Sequence, residues 1–248
     1  MDRVITPQKE ISANKVHINV RYQSSTRLDA NTTTVEQSVD AFILHGTAIN
    51  FLDVLSKDFA NSAQRAFTVT GAYGSGKSTV ALFLSYLLSE NVNERDFSAY
   101  KLTNELLPKA EFYNRFNIQK GWRVIRHVCG LEAPAAGILS SIQAANEINT
   151  DQERSSWDDE QCLLKIEEQL NLSARSCDGV ILLIDELGKA LDFQARNGRD
   201  LHFFQSLAEL AQKSEQNILI VGFLHQSFSD YAKDKDAITQ REWGKVQG

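Results

Sequence analysis

The chain has 248 residues, of which 42% are hydrophobic and 23% are charged, and its formal net charge is −6. A chain of this length and composition can bury a full core, which excludes a wholly disordered protein and allows one large domain or a domain with a small accessory. The acidic balance argues against a protein that wraps DNA through its overall charge, although it leaves room for a local basic patch.

The sequence carries neither a disulfide framework nor an obvious membrane anchor. Its cysteines, Cys129, Cys162 and Cys177, have no metal-ligand spacing, and we interpret them as free thiols in a reducing compartment. The first ten residues lack an apolar signal core, and no apolar run approaches the roughly 18 residues that a membrane span needs. We therefore expect a cytoplasmic protein without membrane contact, unless a partner carries it elsewhere.

An N-terminal extension, residues 1–46, is predicted to contain two elements. Residues 15–28 alternate enough between apolar and polar side chains to favour a short strand or hairpin. A helix is predicted from Thr33 to Leu44, stopping at Gly46. The extension should therefore be a small β/α unit before the main domain.

The remainder, residues 47–248, is predicted to be one α/β domain. The predicted strands are Arg65–Thr70, Trp122–Cys129, Asp178–Ile184 and Asn217–Leu224. The predicted helices are 47–60 with Thr47 as N-cap, Lys77–Ser89, 133–148, Asp159–Leu170 and Gly198–Ser214, with a mostly helical stretch at 94–118. Strands that alternate with helices imply a parallel sheet with helices on its faces.

The segment 71–79, GAYGSGKST, matches the phosphate-binding pattern G-x-x-x-x-G-K-[ST] at every fixed position. Phosphate oxygens must be enclosed by backbone N–H groups, which favours glycine at several loop positions, and the following helix points its positive end at the same oxygens. We predict that ATP is held by Gly71, Ala72, Tyr73, Gly74, Ser75, Gly76, Lys77, Ser78 and Thr79.

Two residues of this loop have predicted chemical roles. Lys77 is expected to reach the β- and γ-phosphates, and the Ser78 hydroxyl to ligate Mg²⁺. Tyr73 could pack on a neighbour or face solvent, and solvent is the favoured interpretation. Since the chain has no N/T-K-x-D signature for guanine, ATP is preferred to GTP.

The predicted strand 178–184 leads directly into two carboxylates, Asp185 and Glu186. Ligands of open α/β sheets bind at the carboxyl ends of the strands. Asp185 is expected to hold Mg²⁺, directly or through water, and Glu186 to polarise the attacking water. Because a metabolite kinase does not need to activate water, the pair favours hydrolysis, the alternative being a solvated acidic turn.

Polar side chains also follow the last predicted strand. His225 and Gln226 are candidates for contacting the γ-phosphate or the attacking water, and the alternative is an ordinary surface histidine and glutamine. The phosphate loop, the acidic pair and this polar strand end together resemble the additional-strand P-loop ATPases, most closely AAA+ and STAND-type modules, over residues 47–230.

This resemblance implies a three-layer fold with sheet order 5-1-4-3-2, or a truncated form of it. It also implies a partner subunit, because an arginine of AAA+ proteins acts across a subunit interface on the neighbour's γ-phosphate. Arg241 is the candidate for this role in a homo-oligomer and Arg199 a weaker one, with a plain surface arginine as the alternative for each.

Three further stretches, Leu187–Leu191, Leu224–Phe228 and Arg241–Gly248, resemble large bacterial ATPases of anti-phage defence systems, such as BREX-associated ATPases. This weaker resemblance implies an ATPase in an assembly that restricts invading DNA. The chain has no clear fifth strand after residue 230 and no helical lid, and one interpretation is that it is the N-terminal part of a longer protein.

Three functions remain open on these residues. The first is an ATPase that drives or resets a conformational change, and the second is a nucleotide-gated scaffold with little turnover. The third is a nucleic-acid motor, for which Lys120, Arg123, Arg126 and His127, with Trp122 among them, could form a basic strip, the alternative being a solvated strand edge.

Overall fold

A computed structural model describes residues 27–102, 107–148, 157–197 and 201–231. The strands in these ranges are β1 (Ala66–Thr70), β2 (Trp122–Val128), β3 (Gly179–Asp185) and β4 (Ile218–Leu224). The helices are α1 (Thr32–Ala41), α2 (Gly46–Asn61), α3 (Lys77–Leu88), α4 (Val92–Ala99), α5 (Lys109–Arg115), α6 (Pro134–Ala145), α7 (Asp159–Ala174), α8 (Leu187–Arg196), α9 (His202–Lys213) and α10 (Phe228–Tyr231).

The strands form one parallel sheet in the order β1-β4-β3-β2. Strands β3 and β4 lie in the middle and are buried along their whole length, which explains why both are continuous apolar runs in the sequence. The last of the described strands, β4, is thus inserted between the strand before residues 71–79 and the strand that ends at Asp185. This confirms the predicted three-layer α/β fold, with the sheet order in its truncated form within the described residues.

Each face of the sheet carries its own apolar core. Along β3, Val180, Leu182 and Ile184 pack on one face with α6, α7, α8 and α9. Ile181 and Leu183 point the other way, toward α1, α2, α3 and α5. This alternation follows from the two-residue period of a strand. Helix α3 is apolar nearly all round because it is buried against the second face, as the sequence predicted.

The structure corrects the predicted ends of the first two helices. Helix α1 ends at Ala41 rather than Leu44, because the Lys101 ammonium donates to the carbonyls of Val39, Asp40 and Phe42 at 2.6, 2.6 and 3.0 Å. These contacts satisfy the free carbonyls at the helix end from a distant part of the chain.

Helix α2 begins at Gly46, so the predicted stop there is wrong. Its N-cap is His45 and not Thr47, since His45 Nδ1 accepts the N–H of Ala48 at 3.4 Å. A histidine nitrogen therefore replaces the expected hydroxyl, with the same capping role.

Helix α8, which directly follows Asp185 and Glu186, is not among the helices predicted from the sequence. Apart from Gly188, the buried residues of α8 recur at helical spacing, which is a periodic signal within the sequence: Leu187, Ala190, Leu191, Gln194 and Ala195. The next helix begins at His202 rather than Gly198. Of the predicted strand or hairpin at 15–28, residues 15–26 lie outside the described residues.

Two further sequence predictions concern cysteines and membrane spans. Cys129, Cys162 and Cys177 are free thiols, as predicted. In the described ranges no single helix is both long and apolar enough to cross a membrane, and α1 and α2 satisfy that test only as a pair bent by 110°.

Candidate functional site

Residues 71–76 form a tight loop between β1 and α3 at the carboxyl edge of the sheet. Gly74 and Gly76 have φ angles of 73° and 85°, a left-handed conformation that only glycine adopts readily. A Cβ atom on Gly71 would lie 3.0 Å from Ser75 Oγ, so the loop also leaves little room there. The Gly71 N–H donates to the Leu224 carbonyl at 3.1 Å, which fixes the loop to the end of β4.

Lys77, the first residue of α3, folds its side chain back into the loop. Its ammonium donates to the carbonyls of Gly71 and Ala72 at 2.6 and 2.8 Å, and the residue is only 8% exposed. Burial lowers the pKa of Lys77, and the negative charges of Asp185 and Glu186 oppose that shift. The loop therefore surrounds a cation whose present partners are neutral carbonyls.

Ser78 and Asp185 lie side by side although they are far apart in sequence. Ser78 Oγ donates to Asp185 Oδ2 at 2.6 Å, and the other carboxylate oxygen accepts the Glu186 N–H at 2.9 Å. Asp185 is 4% exposed, at the last position of β3. The structure thus brings together the two predicted metal ligands, beside the lysine of the loop.

Glu186 connects β3 to α8 in an unusual backbone conformation. Its φ of 55° is left-handed, which is uncommon for a residue with a side chain and recurs at functional sites. The carboxylate lies 3.2 Å from His225 Nε2 and 3.5 Å from the Lys189 ammonium. Glu186 therefore faces the gap between the ends of β3 and β4, with two nitrogen groups next to it.

His225 occupies the tip of β4 and is mostly buried, with 15% of its side chain exposed. Both ring nitrogens are buried and make no hydrogen bond with the described residues. The 3.2 Å approach to Glu186 is therefore a close contact that lacks hydrogen-bond geometry. Gln226, the second polar residue of this strand end, is exposed and makes no hydrogen bond within the described residues.

Tyr73 satisfies both of its predicted alternatives at once. Its ring stacks on the His225 ring with a centroid distance of 3.6 Å and an interplanar angle of 17°. The residue is nevertheless 77% exposed. An aromatic side chain of the phosphate loop thus covers the buried histidine from the solvent side.

Tyr231 belongs to the same region, and no sequence pattern identified it. A Cβ atom on Gly188 would lie 2.0 Å from the Tyr231 hydroxyl, so the absence of a side chain at Gly188 lets the tyrosine lie on the start of α8. Burial raises the pKa of Tyr231, and a backbone hydrogen bond from His225 opposes the shift. Tyr231 therefore supports the elements that carry Glu186 and His225.

The proposed basic strip is not one exposed surface. Trp122 is fully buried and His127 nearly so, while Lys120 is exposed. Arg123 lies 2.7 Å from Glu90 and donates to the Ala145 carbonyl at 3.0 Å. Arg199 and Arg241, the candidate arginine fingers, lie outside the described residues and stay predictions.

The residues present fit a magnesium ion. Ser78 Oγ and Asp185 Oδ2 are hard oxygen ligands, and Mg²⁺ typically uses one or two protein ligands and completes its octahedron with phosphates and water. Within the described residues no three His, Cys, Asp or Glu side chains converge on a metal position. A site built on two protein oxygens does not require such a group.

Comparison with known proteins adds little to this geometry. No family model and no curated protein matches the chain. Among solved structures, it is similar to the Aeropyrum pernix ORC2 protein, determined as ADPNP–ADP complexes, with a TM-score of 0.46 and 14% identity. The match covers 83% of this chain and 49% of that one, so the chain spans about half the length of this neighbour. At this similarity the neighbour carries no argument about what the chain does.

Proposed function

We propose that the chain binds ATP with Mg²⁺ at residues 71–79 and hydrolyses it. The observation that carries this proposal is the 2.6 Å contact between Ser78 Oγ and Asp185 Oδ2. This contact lies beside the glycine-rich loop that surrounds the Lys77 ammonium. A serine–aspartate pair with a purely structural role would need neither a lysine nor a glycine-rich loop beside it. A metal–phosphate site needs the hydroxyl, the carboxylate, the lysine and the loop at one sheet edge.

The loop and Lys77 account for binding of the phosphates. The backbone N–H groups of the loop and the N-terminus of α3 are positive ends of dipoles and favour an anion. The Lys77 ammonium, now bound to the Gly71 and Ala72 carbonyls, would exchange these neutral acceptors for charged phosphate oxygens. That exchange favours the nucleotide complex.

Asp185 and Ser78 would hold the metal in the proposed complex. Bound there, Mg²⁺ supplies charge neutralisation to the phosphate oxygens. Asp185 keeps one oxygen on the Glu186 N–H, which fixes the orientation of its carboxylate. The backbone hydrogen bond therefore prepares the aspartate for its ligand role.

Glu186 and His225 support hydrolysis rather than binding alone. Glu186 can accept a proton from an attacking water, and its side chain, 26% exposed, stands at the edge of the gap between β3 and β4. His225 has two buried ring nitrogens without hydrogen bonds, so a phosphate oxygen or water would satisfy a group that the described residues leave unsatisfied. We assign His225, and not the exposed Gln226, to the γ-phosphate position.

A nucleotide-gated scaffold is the second candidate, and one observation favours it. Glu186 places one carboxylate oxygen, Oε2, near both His225 and Lys189, and these contacts would hold that oxygen away from an attacking water. Slow turnover would follow if the contacts persisted with nucleotide bound. The nucleic-acid motor has less support, because the residues proposed for its basic strip are largely buried or paired.

The finer assignment also belongs to this proposal. Membership of the AAA+ or STAND-type ATPases is supported by the sheet order β1-β4-β3-β2 together with the loop and the acidic pair. A homo-oligomer with Arg241 acting in trans, and a role in an anti-phage system acting on DNA, rest on the sequence resemblance alone.

Steady-state phosphate release by the purified chain tests the proposal. We expect phosphate release with ATP and Mg²⁺ and none with EDTA. With labelled ATP as the substrate, GTP should compete for the site more weakly than unlabelled ATP does. Binding of ATP without release would favour the scaffold, whereas absence of Mg²⁺-dependent binding would refute both functions.

A further inference from the structure

A cavity with a volume of about 460 Å³ lies beside the edge strand β2. It is open to solvent on one side and lined by the turn before α1, the end of α3, the start of α4 and one side of α6. Residues 71–79, Asp185, Glu186 and His225 are absent from its lining. The cavity is therefore distinct from the candidate ATP site, and its volume falls in the range of small-molecule pockets.

Most charged groups around this cavity already have partners. Arg123 lies 2.7 Å from Glu90, and both carboxylate oxygens of Asp29 accept hydrogen bonds from Arg27 at 2.8 Å. Glu94 stands in the first turn of α4, where the positive end of the helix offsets its charge. These groups need no additional ion.

Arg126 makes no ion-pair contact of this kind with the described residues. It lines the cavity, and its Nη1 atom is buried and has no hydrogen-bond partner in the described part of the chain. A buried guanidinium nitrogen without a partner is unfavourable, because it has lost water and gained nothing in return. The guanidinium fork matches carboxylates and phosphates in geometry as well as charge.

The remaining lining suits a small organic molecule. Leu28, Val35 and Val124 offer apolar contacts, and the Ser141 hydroxyl offers a polar one beside them. Ser141 Oγ is also 2.9 Å from His127 Nδ1, which holds the hydroxyl in place. The cavity thus combines an apolar wall with an arginine whose Nη1 atom has no hydrogen-bond partner among the described residues.

We propose that this cavity binds a small organic oxyanion, carrying a carboxylate or a phosphate group, with Arg126 as its anchor. The Arg126 guanidinium binds the anionic group, and the apolar wall contacts the rest of the ligand. This site does not depend on the proposed ATPase activity.

The Nε–Hε resonance of Arg126 reports binding directly by NMR. The full chain is titrated separately with succinate and with inorganic phosphate, and the resonance is assigned by its loss in Arg126→Lys. We expect a saturable shift with at least one probe in the millimolar range, and the preferred probe identifies the anion class. Phosphate bound at the 71–79 loop is recognised because Lys77→Ala removes that binding and leaves the Arg126 shift intact.

The increase in Tm that the preferred probe produces is then compared between wild type and variants. Arg126→Lys keeps the charge but loses the fork, and we expect binding at least about tenfold weaker. Ala144→Trp places bulk in the cavity and should abolish binding, whereas Arg175→Gln, on an exposed arginine at the end of α7, should not change it. The proposal is overturned if neither probe gives a saturable shift, or if Arg126→Lys and Ala144→Trp, with unchanged circular dichroism, bind as the wild type does.

Discussion

The ring of Tyr73 lies 3.6 Å from the ring of His225, centroid to centroid, and nearly parallel to it. One residue belongs to the phosphate loop and the other to the tip of β4, beside the carboxylate of Glu186. The stack therefore links the loop that would bind phosphate to the residues that would act on water.

Loss of this stack should weaken catalysis more than binding. Stacked aromatic pairs contribute about 0.5–1.5 kcal/mol, so Tyr73→Ala should lower kcat roughly two- to tenfold by freeing the His225 ring. Tyr73→Phe keeps the stack and serves as the matched control. Equal kcat values for wild type and Tyr73→Ala would show that the stack has no catalytic role.

Glu186→Gln should separate binding from hydrolysis. The amide has nearly the same shape but cannot accept a proton, so we expect kcat to fall by about 10²–10⁴ while the Kd for ATP stays close to the wild-type value. Phosphate release and equilibrium ATP binding measure the two effects. Glu209→Gln, on the solvent-facing side of α9, controls for the loss of a carboxylate. Undiminished turnover in Glu186→Gln would remove Glu186 from the base role.

His225 and Gln226 are adjacent in sequence, yet they should respond differently to substitution. His225→Ala removes the two buried nitrogens that lack hydrogen bonds, and we expect kcat to fall at least about tenfold. Gln226→Ala changes an exposed side chain and should leave kcat within about twofold of wild type. Single-turnover phosphate release measures both, and a larger effect at Gln226 would reverse the assignment.

His127 makes stability depend on pH. Burial lowers its pKa from 6.5 to about 4, an effect that Asp29 opposes. Between these values the unfolded chain binds a proton that the folded chain does not, so stability falls as pH falls from about 6.5 to 4, by about 3 kcal/mol. Urea unfolding of His127→Gln should show a smaller loss over this interval, whereas parallel curves for the two proteins would contradict the assignment.

The sequence alone predicts those parts of the fold and of the candidate site that neighbouring residues encode. The glycine loop, the apolar helix after it and the carboxylates after a buried strand are each encoded by neighbouring residues, and the elements that carry them lie where the pattern predicted. The inserted position of β4 came from the resemblance to additional-strand ATPases, and the structure confirms it.

The features that the sequence missed depend on distant partners. The end of α1 is fixed by Lys101, and the support beneath the start of α8 comes from Tyr231. The sequence predicts that Tyr73 and His225 lie at the same edge of the sheet, but the stack itself depends on how two segments distant in sequence meet. Helix α8 differs, since the spacing of its buried residues is a local signal within the sequence.

ATP binding by Lys77→Ala tests the central claim most directly. The substitution removes the ammonium that the loop encloses, and we expect Mg²⁺-dependent affinity for ATP to fall about a hundredfold or more, roughly 3 kcal/mol. Lys213→Ala, on the exposed end of α9, should bind ATP as the wild type does. An unchanged Kd for Lys77→Ala in calorimetric titrations would contradict the assignment of residues 71–79 as the ATP site.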